Sequence, residues 1–290
     1  MKILLTGATG FIGKNFCDYL NNKKYPVLAL SRARNSKKNK NITYLQSSFK
    51  FNNQTFKIIK NFQPQVIINL GWYGIPDFSK KNSKKNYMDQ KFFFEKIKNI
   101  PSIKKIFSFG SCWEYKKKIG KCFETDRVSR DTFFNDSKYK IRVYLENLCK
   151  KNKIEFYWLR LFYVYGPYQR KEALLPSLIN SIKKNRKNSV NSIKNTNDFV
   201  YVEDVCKLVY KLLVSKTAKG GIYNIGSGKL TGVKKIVKIV YNFYNLKLSV
   251  KKIKYNRSIY ASIKKIKKVD KFFSPSDLKK SIIKTIKHNA

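Results

Sequence analysis

The chain has 290 residues, 63 Lys+Arg against 17 Asp+Glu, a formal net charge of +46, and 42% hydrophobic and 15% aromatic residues. This apolar content supports a sizeable core and excludes an intrinsically disordered chain, and the length suits one large α/β domain or a domain with a smaller lobe. The one His, His288, lies near the C-terminus, which argues against a His-based triad or a His-rich metal site.

Short apolar runs alternate with amphipathic stretches. Strands are predicted over 2–6, 26–30, 42–45, 65–70, 104–109 and 156–161, and helices over 11–22, 52–62, 83–99 and 134–151. The strands are apolar throughout rather than alternating, as expected of a parallel sheet covered on both faces. Beyond residue 166 the pattern loosens into helices near 172–186, 204–215, 232–245 and 275–287 and a strand near 198–202. The expected fold is therefore α/β, a doubly wound parallel sheet with a smaller C-terminal lobe. Residues 1–165 form the sheet part, with returns near 198–225, and 166–290 mainly the lobe. The densest basic run, 183–187, reads as a loop after a helix.

The sharpest local signal is Thr6-Gly7-Ala8-Thr9-Gly10-Phe11-Ile12-Gly13, which closes the first strand and opens the first helix. Gly7 permits a tight turn, Gly10 lets the backbone approach a pyrophosphate, and Gly13 allows close packing of helix on sheet. The start of the helix attracts the anion. Cofactor choice is read at the end of the second strand. A carboxylate there would bond the adenosine ribose and repel a 2′-phosphate. This chain has Leu30-Ser31-Arg32-Ala33-Arg34 instead, a hydroxyl and two guanidinium groups that suit NADP(H) over NAD(H).

The glycine string resembles the TGxxGxxG fingerprint of the extended short-chain dehydrogenase/reductase family, the NAD-dependent epimerases and dehydratases of nucleotide sugars. Five further segments resemble that family in order. They are Asn69-Leu70-Gly71-Trp72, Phe109-Gly110-Ser111-Cys112-Trp113-Glu114-Tyr115, Arg160-Leu161-Phe162-Tyr163-Val164-Tyr165-Gly166-Pro167, Asp198 to Val205, and Asn224-Ile225-Gly226-Ser227-Gly228. The resemblance implies cofactor contacts from Gly7, Thr9, Gly10, Phe11, Ile12, Gly13, Leu70, Gly71 and Lys138. It implies a Rossmann sheet part, 1–165, that binds the dinucleotide and a smaller C-terminal lobe, 166–290, that mainly binds substrate, with substrate contacts from Trp72, Cys112 and Tyr163. Arg170 and Arg186 are candidates for a diphosphate, and Glu124 matches a family Glu that precedes the catalytic helix. The family also pairs the helices near 83–99 and 134–151 between subunits, so a homodimer is expected.

The family's catalytic group is a Ser or Thr with a Tyr and a Lys four residues apart on one helix, where the ammonium lowers the phenol's pKa. Ser111 and Lys138 match, and Thr132 fits two positions before the Tyr, but Phe134 occupies the Tyr position itself. Loss of a general acid costs ~10²–10⁴ in rate. Three readings stay open: a substitute proton donor (Tyr139, Cys112, Tyr115, or a water held by Ser111 and Lys138), a catalytically impaired protein, or a slip in the register of the resemblance. The leading expectation is a 4-ketoreductase that transfers hydride at C4 of a nucleoside-diphosphate sugar, with Ser111 polarising the C4 oxygen and Lys138 on the nicotinamide ribose. The alternative is a Rossmann protein that binds cofactor, sugar nucleotide or RNA without turnover.

The composition weighs against the RNA version. Only nine of the 63 basic residues are Arg (32, 34, 127, 130, 142, 160, 170, 186 and 257), whereas Lys and Asn are spread over every segment. That pattern predicts Lys on solvated faces rather than a base-reading surface. The five Cys (17, 112, 122, 149 and 206) contain no CxxC pair, as for reduced thiols. No apolar run reaches the length of a membrane span, and the first one leads straight into the glycine motif rather than a signal peptide. A cytoplasmic, membrane-free protein is expected.

Overall fold

The apolar runs and amphipathic stretches become, in order, β1 (Ile3–Thr6), α1 (Phe11–Asn21), β2 (Val27–Ser31), β3 (Ile42–Gln46), α2 (Asn53–Phe62), β4 (Val66–Asn69), α3 (Lys80–Ile97) and β5 (Lys105–Ser111). A short 3-10 turn, Cys112–Glu114, and β6 (Gly120–Cys122) lead to α4 (Phe133–Lys151) and β7 (Glu155–Leu161). Then come β8 (Tyr163–Tyr165), α5 (Leu174–Lys183), β9 (Thr196–Asn197), β10 (Phe199–Tyr201), α6 (Val202–Val214) and β11 (Gly221–Ile225). The chain ends with β12 (Thr231–Gly232), α7 (Val233–Phe243), β13 (Ile259–Ala261), α8 (Lys264–Lys267) and α9 (Leu278–His288). The structure is a computed structural model that describes residues 1–33, 40–185, 193–248 and 254–288. Arg34 and Arg186 lie outside the described residues.

The central parallel sheet has seven strands in the order β11-β7-β5-β4-β1-β2-β3. Ile3 pairs with Val27 on one side and with Val66 on the other, so the strand order reverses at β1. Open α/β sheets bind ligands at the carboxyl end of such a switch point. Every residue of β1, β2 and β4 is buried, as two covered faces require. Phe93, Phe94 and Ile97 of α3 join Ile141, Leu145 and Leu148 of α4 in a core with Leu4, Ile67 and Trp158 of the sheet.

Helix starts follow local chemistry. Asn52 caps α2 through the Thr55 amide, Ser79 caps α3 through that of Asn82, and Thr132 caps α4 through that of Asn135. The Ser79 cap starts α3 three residues before the expected position 83, because its first turn is polar and has no apolar period to reveal it. The strand Gly221–Ile225 is not evident from the sequence either. It opens on the second of two glycines, and a Cβ on the first, Gly220, would come within 2.8 Å of the Phe156 carbonyl oxygen on neighbouring β7.

The chain divides into two compact units, each treated by itself. The first comprises residues 1–116, 127–160 and 218–223, and the second 117–126, 161–217 and 224–290. The five cysteines are buried. Among the described residues, no helix is long and apolar enough to cross a membrane, and no group of three or more His, Cys, Asp or Glu is arranged to hold a metal ion.

Candidate functional site

After β1 the chain turns through Gly7, whose φ of +72° suits glycine. A Cβ on Gly13 would lie 2.1 Å from the Gly7 carbonyl oxygen, so α1 meets the turn at a separation that only glycine allows. Gly10 is exposed, and a Cβ there would meet only the Gly7 oxygen, at 3.2 Å. Gly10 is also the N-cap of α1, which has no side-chain cap and no acidic residue in its first turn. The first-turn amides, those of Phe11 and Ile12 among them, lack intrahelical partners and are available to an anion.

A cleft of about 230 Å³ lies over this turn at the carboxyl ends of β1, β2 and β4. Its lining includes Thr6, Gly7, Thr9, Gly10, Ser31, Arg32, Leu70, Gly71 and Trp72. It also includes Ser47, Ser48, Phe49 and Tyr73, which sequence reasoning missed. The available signal was Ser47-Ser48-Phe49 standing just past β3, another strand's carboxyl end. None of these lining residues is Asp or Glu. The buried Ser31 hydroxyl lies 2.8 Å from Thr9 Oγ1 and donates to the Ala33 carbonyl at 3.0 Å. The Arg32 guanidinium sits 4.1 Å from the centre of the Tyr73 ring, whose hydroxyl accepts from the Phe49 amide at 3.1 Å. Beneath the cleft, Asn69 accepts from Thr6 Oγ1 and donates to Gln90 and Ser108, a buried polar floor.

At the edge of the cleft, Trp72 belongs to an aromatic cluster. The Phe134 ring lies 5.2 Å from that of Trp72, 5.0 Å from Phe78 and 6.1 Å from Trp113. Phe134 is buried at the start of α4, one turn before Lys138. Lys138 is buried too. Its Nζ donates to the Phe109 carbonyl at 2.8 Å and sits 3.9 Å over the Trp72 ring and 5.7 Å from that of Phe134. Burial pulls its pKa down to about 7, while the Glu114 carboxylate works in the opposite direction. The Trp72 Nε1 is buried and has no hydrogen-bond partner among the described residues. The uncapped start of α1, the glycine turn and this unpartnered donor all fit a bound dinucleotide.

Ser111 stands at the end of β5 and caps the 3-10 turn. Its Oγ accepts from the Trp113 amide at 3.2 Å, and its own amide donates to Glu114 at 2.7 Å. The Glu114 carboxylate is 2% exposed and also accepts from Trp158 Nε1 at 3.0 Å and Arg160 Nε at 3.2 Å. A Cβ on Gly110 would lie 2.1 Å from Glu114 Oε1, so glycine at that position makes room for the carboxylate. The sequence shows this pair only as two charges inside otherwise apolar strand ends. Of the substitute donors, Cys112 and Tyr115 are buried, and the Arg160 guanidinium lies 4.6 Å over the Tyr115 ring. The Tyr139 ring is flanked by the guanidinium groups of Arg130 and Arg142, at 4.7 and 5.1 Å.

In the second unit, two of the recognised segments hold each other. Asp198 is fully buried and accepts from the Ser227 amide and hydroxyl, the Gly228 amide and the Ala261 amide. Burial still pushes its carboxyl above the ordinary value, against those hydrogen bonds. Glu124 accepts from the Asn224 amide, a positioning role. Tyr163 pairs in register with Phe199, and Arg170 is exposed.

Comparison with known proteins bears on the family and the fold. Residues 3–226 match the model of the NAD dependent epimerase/dehydratase family. The chain is 26% identical to a dTDP-4-dehydro-6-deoxyglucose reductase of Escherichia coli, over 82% of this chain and 80% of that one. It is 28% identical to an ADP-L-glycero-D-manno-heptose-6-epimerase of Brachyspira hyodysenteriae, over 91% of this chain and 90% of that one. The fold superposes on a Bacillus cereus UDP-glucuronic acid 4-epimerase, solved in complex with UDP-glucuronic acid and NAD. That TM-score is 0.85 at 20% identity, over 100% of this chain and 99% of that one.

Proposed function

The chain belongs to the NAD dependent epimerase/dehydratase family, and we propose that within it the protein is an NADP(H)-dependent 4-ketoreductase of a nucleoside-diphosphate sugar. The observation that carries this reading is a buried Lys138 beside a cleft whose β2 end bears Arg32 and no carboxylate. A bound nicotinamide dinucleotide supplies the hydride for sugar C4. Gly7, Thr9, Gly10, Phe11, Ile12, Gly13, Leu70 and Gly71 hold its diphosphate side, and Arg32 and Ser31 face the 2′-phosphate. Ser111 orients the C4 oxygen, while Lys138 stands at the ribose. Trp72, Cys112, Tyr163 and Arg170 contact the sugar nucleotide. The E. coli relative is a reductase of a 4-dehydro sugar nucleotide by name, which supports reduction over epimerisation or dehydration.

In the same reading residues 1–165, with returns near 198–225, serve the cofactor and residues 166–290 mainly the sugar nucleotide. The protein works in the cytoplasm as a homodimer joined through α3 and α4. Phe134 favours a second reading, a protein that binds both ligands without turnover. Oxidation of NADPH by a panel of 4-keto nucleotide sugars separates the two. Turnover with at least one supports the reductase, whereas tight binding with no oxidation by any of them supports the binder. Fluorescence titration tests the cofactor preference, and equal affinity for NADPH and NADH overturns it.

A further inference from the structure

The reduction leaves a proton to be placed on the C4 oxygen, and the obvious hydroxyl donors are occupied. Phe134 has no acidic hydrogen, Tyr139 is held between Arg130 and Arg142, and Tyr115 is buried beneath Arg160. The Ser111 hydroxyl, an alcohol, is a weak acid beside an ammonium. We propose that Lys138 is itself the proton donor of this reaction, its Nζ taking over the work of the missing phenol from its seat between the Phe109 carbonyl and the Trp72 ring. The assignment rests on the ketoreductase reading above.

In the step, the carbonyl carbon accepts a hydride from the reduced nicotinamide, and the C=O π pair moves onto oxygen. That oxygen takes a proton from the Lys138 ammonium. The N–H pair stays on Nζ, and the neutral amine regains its proton from water. Past β4 the ammonium meets the Trp72 ring and on β5 the Phe109 carbonyl. The Glu114 carboxylate past β5, itself tied to Arg160 of β7, acts on it through its charge. The charge of Glu114 thus opposes the larger effect of burial on Nζ. A donor works best with a pKa near the operating pH, and that of Lys138 is held to about 7. An aromatic face also favours the charged form, since the ring quadrupole attracts a cation.

The test needs no cofactor at first. Trp72 lies 3.9 Å beneath the ammonium, so its fluorescence reports the charge. In the free protein we expect a pH transition with a midpoint near 7. Lys138→Met and Trp72→Phe abolish it, and Glu114→Gln moves it to lower pH. With NADPH and a 4-keto sugar nucleotide, wild-type kcat falls as pH rises through the same midpoint, because the ammonium is the reactive form. Lys138→Ala loses ~10²–10⁴ in kcat and regains turnover with added alkylammonium ions, at rates that depend on the pKa of the amine. A positioning role alone would give no such dependence. A flat fluorescence profile, or Lys138→Ala turnover that added amines do not change, overturns the proposal while leaving the reductase reading intact. Failure of every keto sugar to oxidise NADPH with the wild type overturns both. If Glu114→Gln does not fold, the lysine variants and the wild-type profile still decide.

Discussion

Two helices of the first unit begin at carboxyl ends of the sheet, and they begin in opposite ways. The start of α1 is bare: Gly10 brings no side chain and no acidic residue follows, so the amides remain available to a ligand. The start of α4 is closed, with Thr132 accepting from the Asn135 amide and Asp136 in the first turn. In the proposed site the work at this end falls to side chains, Phe134 and Lys138. A site made of backbone tolerates any sequence that keeps its glycines. A site made of side chains changes its chemistry with a single substitution, and this chain carries such a substitution.

This contrast can be tested by substitution at both ends. The widest range of outcomes is at Phe134→Tyr, which adds a phenol one turn from Lys138. With Lys138 supplying the proton, kcat for a 4-keto nucleotide sugar should stay close to that of the wild type, whereas a rise of ~10²–10⁴ would mean that the wild type lacks an efficient acid. Glu114→Ala comes next. It removes the carboxylate that faces the buried Arg160 guanidinium, and should lower unfolding free energy by about 3–5 kcal/mol in denaturant titration. A loss below 1 kcal/mol would mean that solvent reaches the pair. Gly13→Ala acts at the bare end. Its Cβ meets the Gly7 oxygen at 2.1 Å, so α1 must shift at a cost of about 1–3 kcal/mol, and dinucleotide affinity should fall with it in a fluorescence titration. The smallest change is Arg32→Ser, which should remove roughly tenfold, about 1.4 kcal/mol, of preference for NADPH over NADH. An unaltered ratio would assign the 2′-phosphate elsewhere.

Lys138 adds a pH dependence to stability whose sign is fixed by its surroundings. Burial holds its pKa at about 7 when folded, below the ordinary lysine value. Between those two values the unfolded chain binds more protons, so the Lys138 contribution stabilises the fold as pH rises above 7. Thermal melts of wild type against Lys138→Met should diverge in that direction, and parallel curves would show an ammonium that is hydrated in the folded state.

Much of the frame is legible in residue order. Period and glycine placement mark six strands of the seven-stranded sheet, the principal helices and the dinucleotide turn, because each depends on local backbone geometry and on apolar runs that must be buried. Other features emerge only from pairs distant in sequence. Ser47, Ser48 and Tyr73 reach the cleft only because β3 and β4 lie near β1. Glu114 and Arg160, 46 residues apart, meet only where the β5 turn crosses β7. Even Phe134 reads alone as a lost catalyst. Its meaning depends on the Trp72 ring, the Phe109 carbonyl and the Glu114 charge around Lys138. Charge, too, divides this way. The +46 total is a property of composition, but which of those cations is chemically distinct was decided by burial, since desolvation acts on an ammonium only where the tertiary structure takes water away.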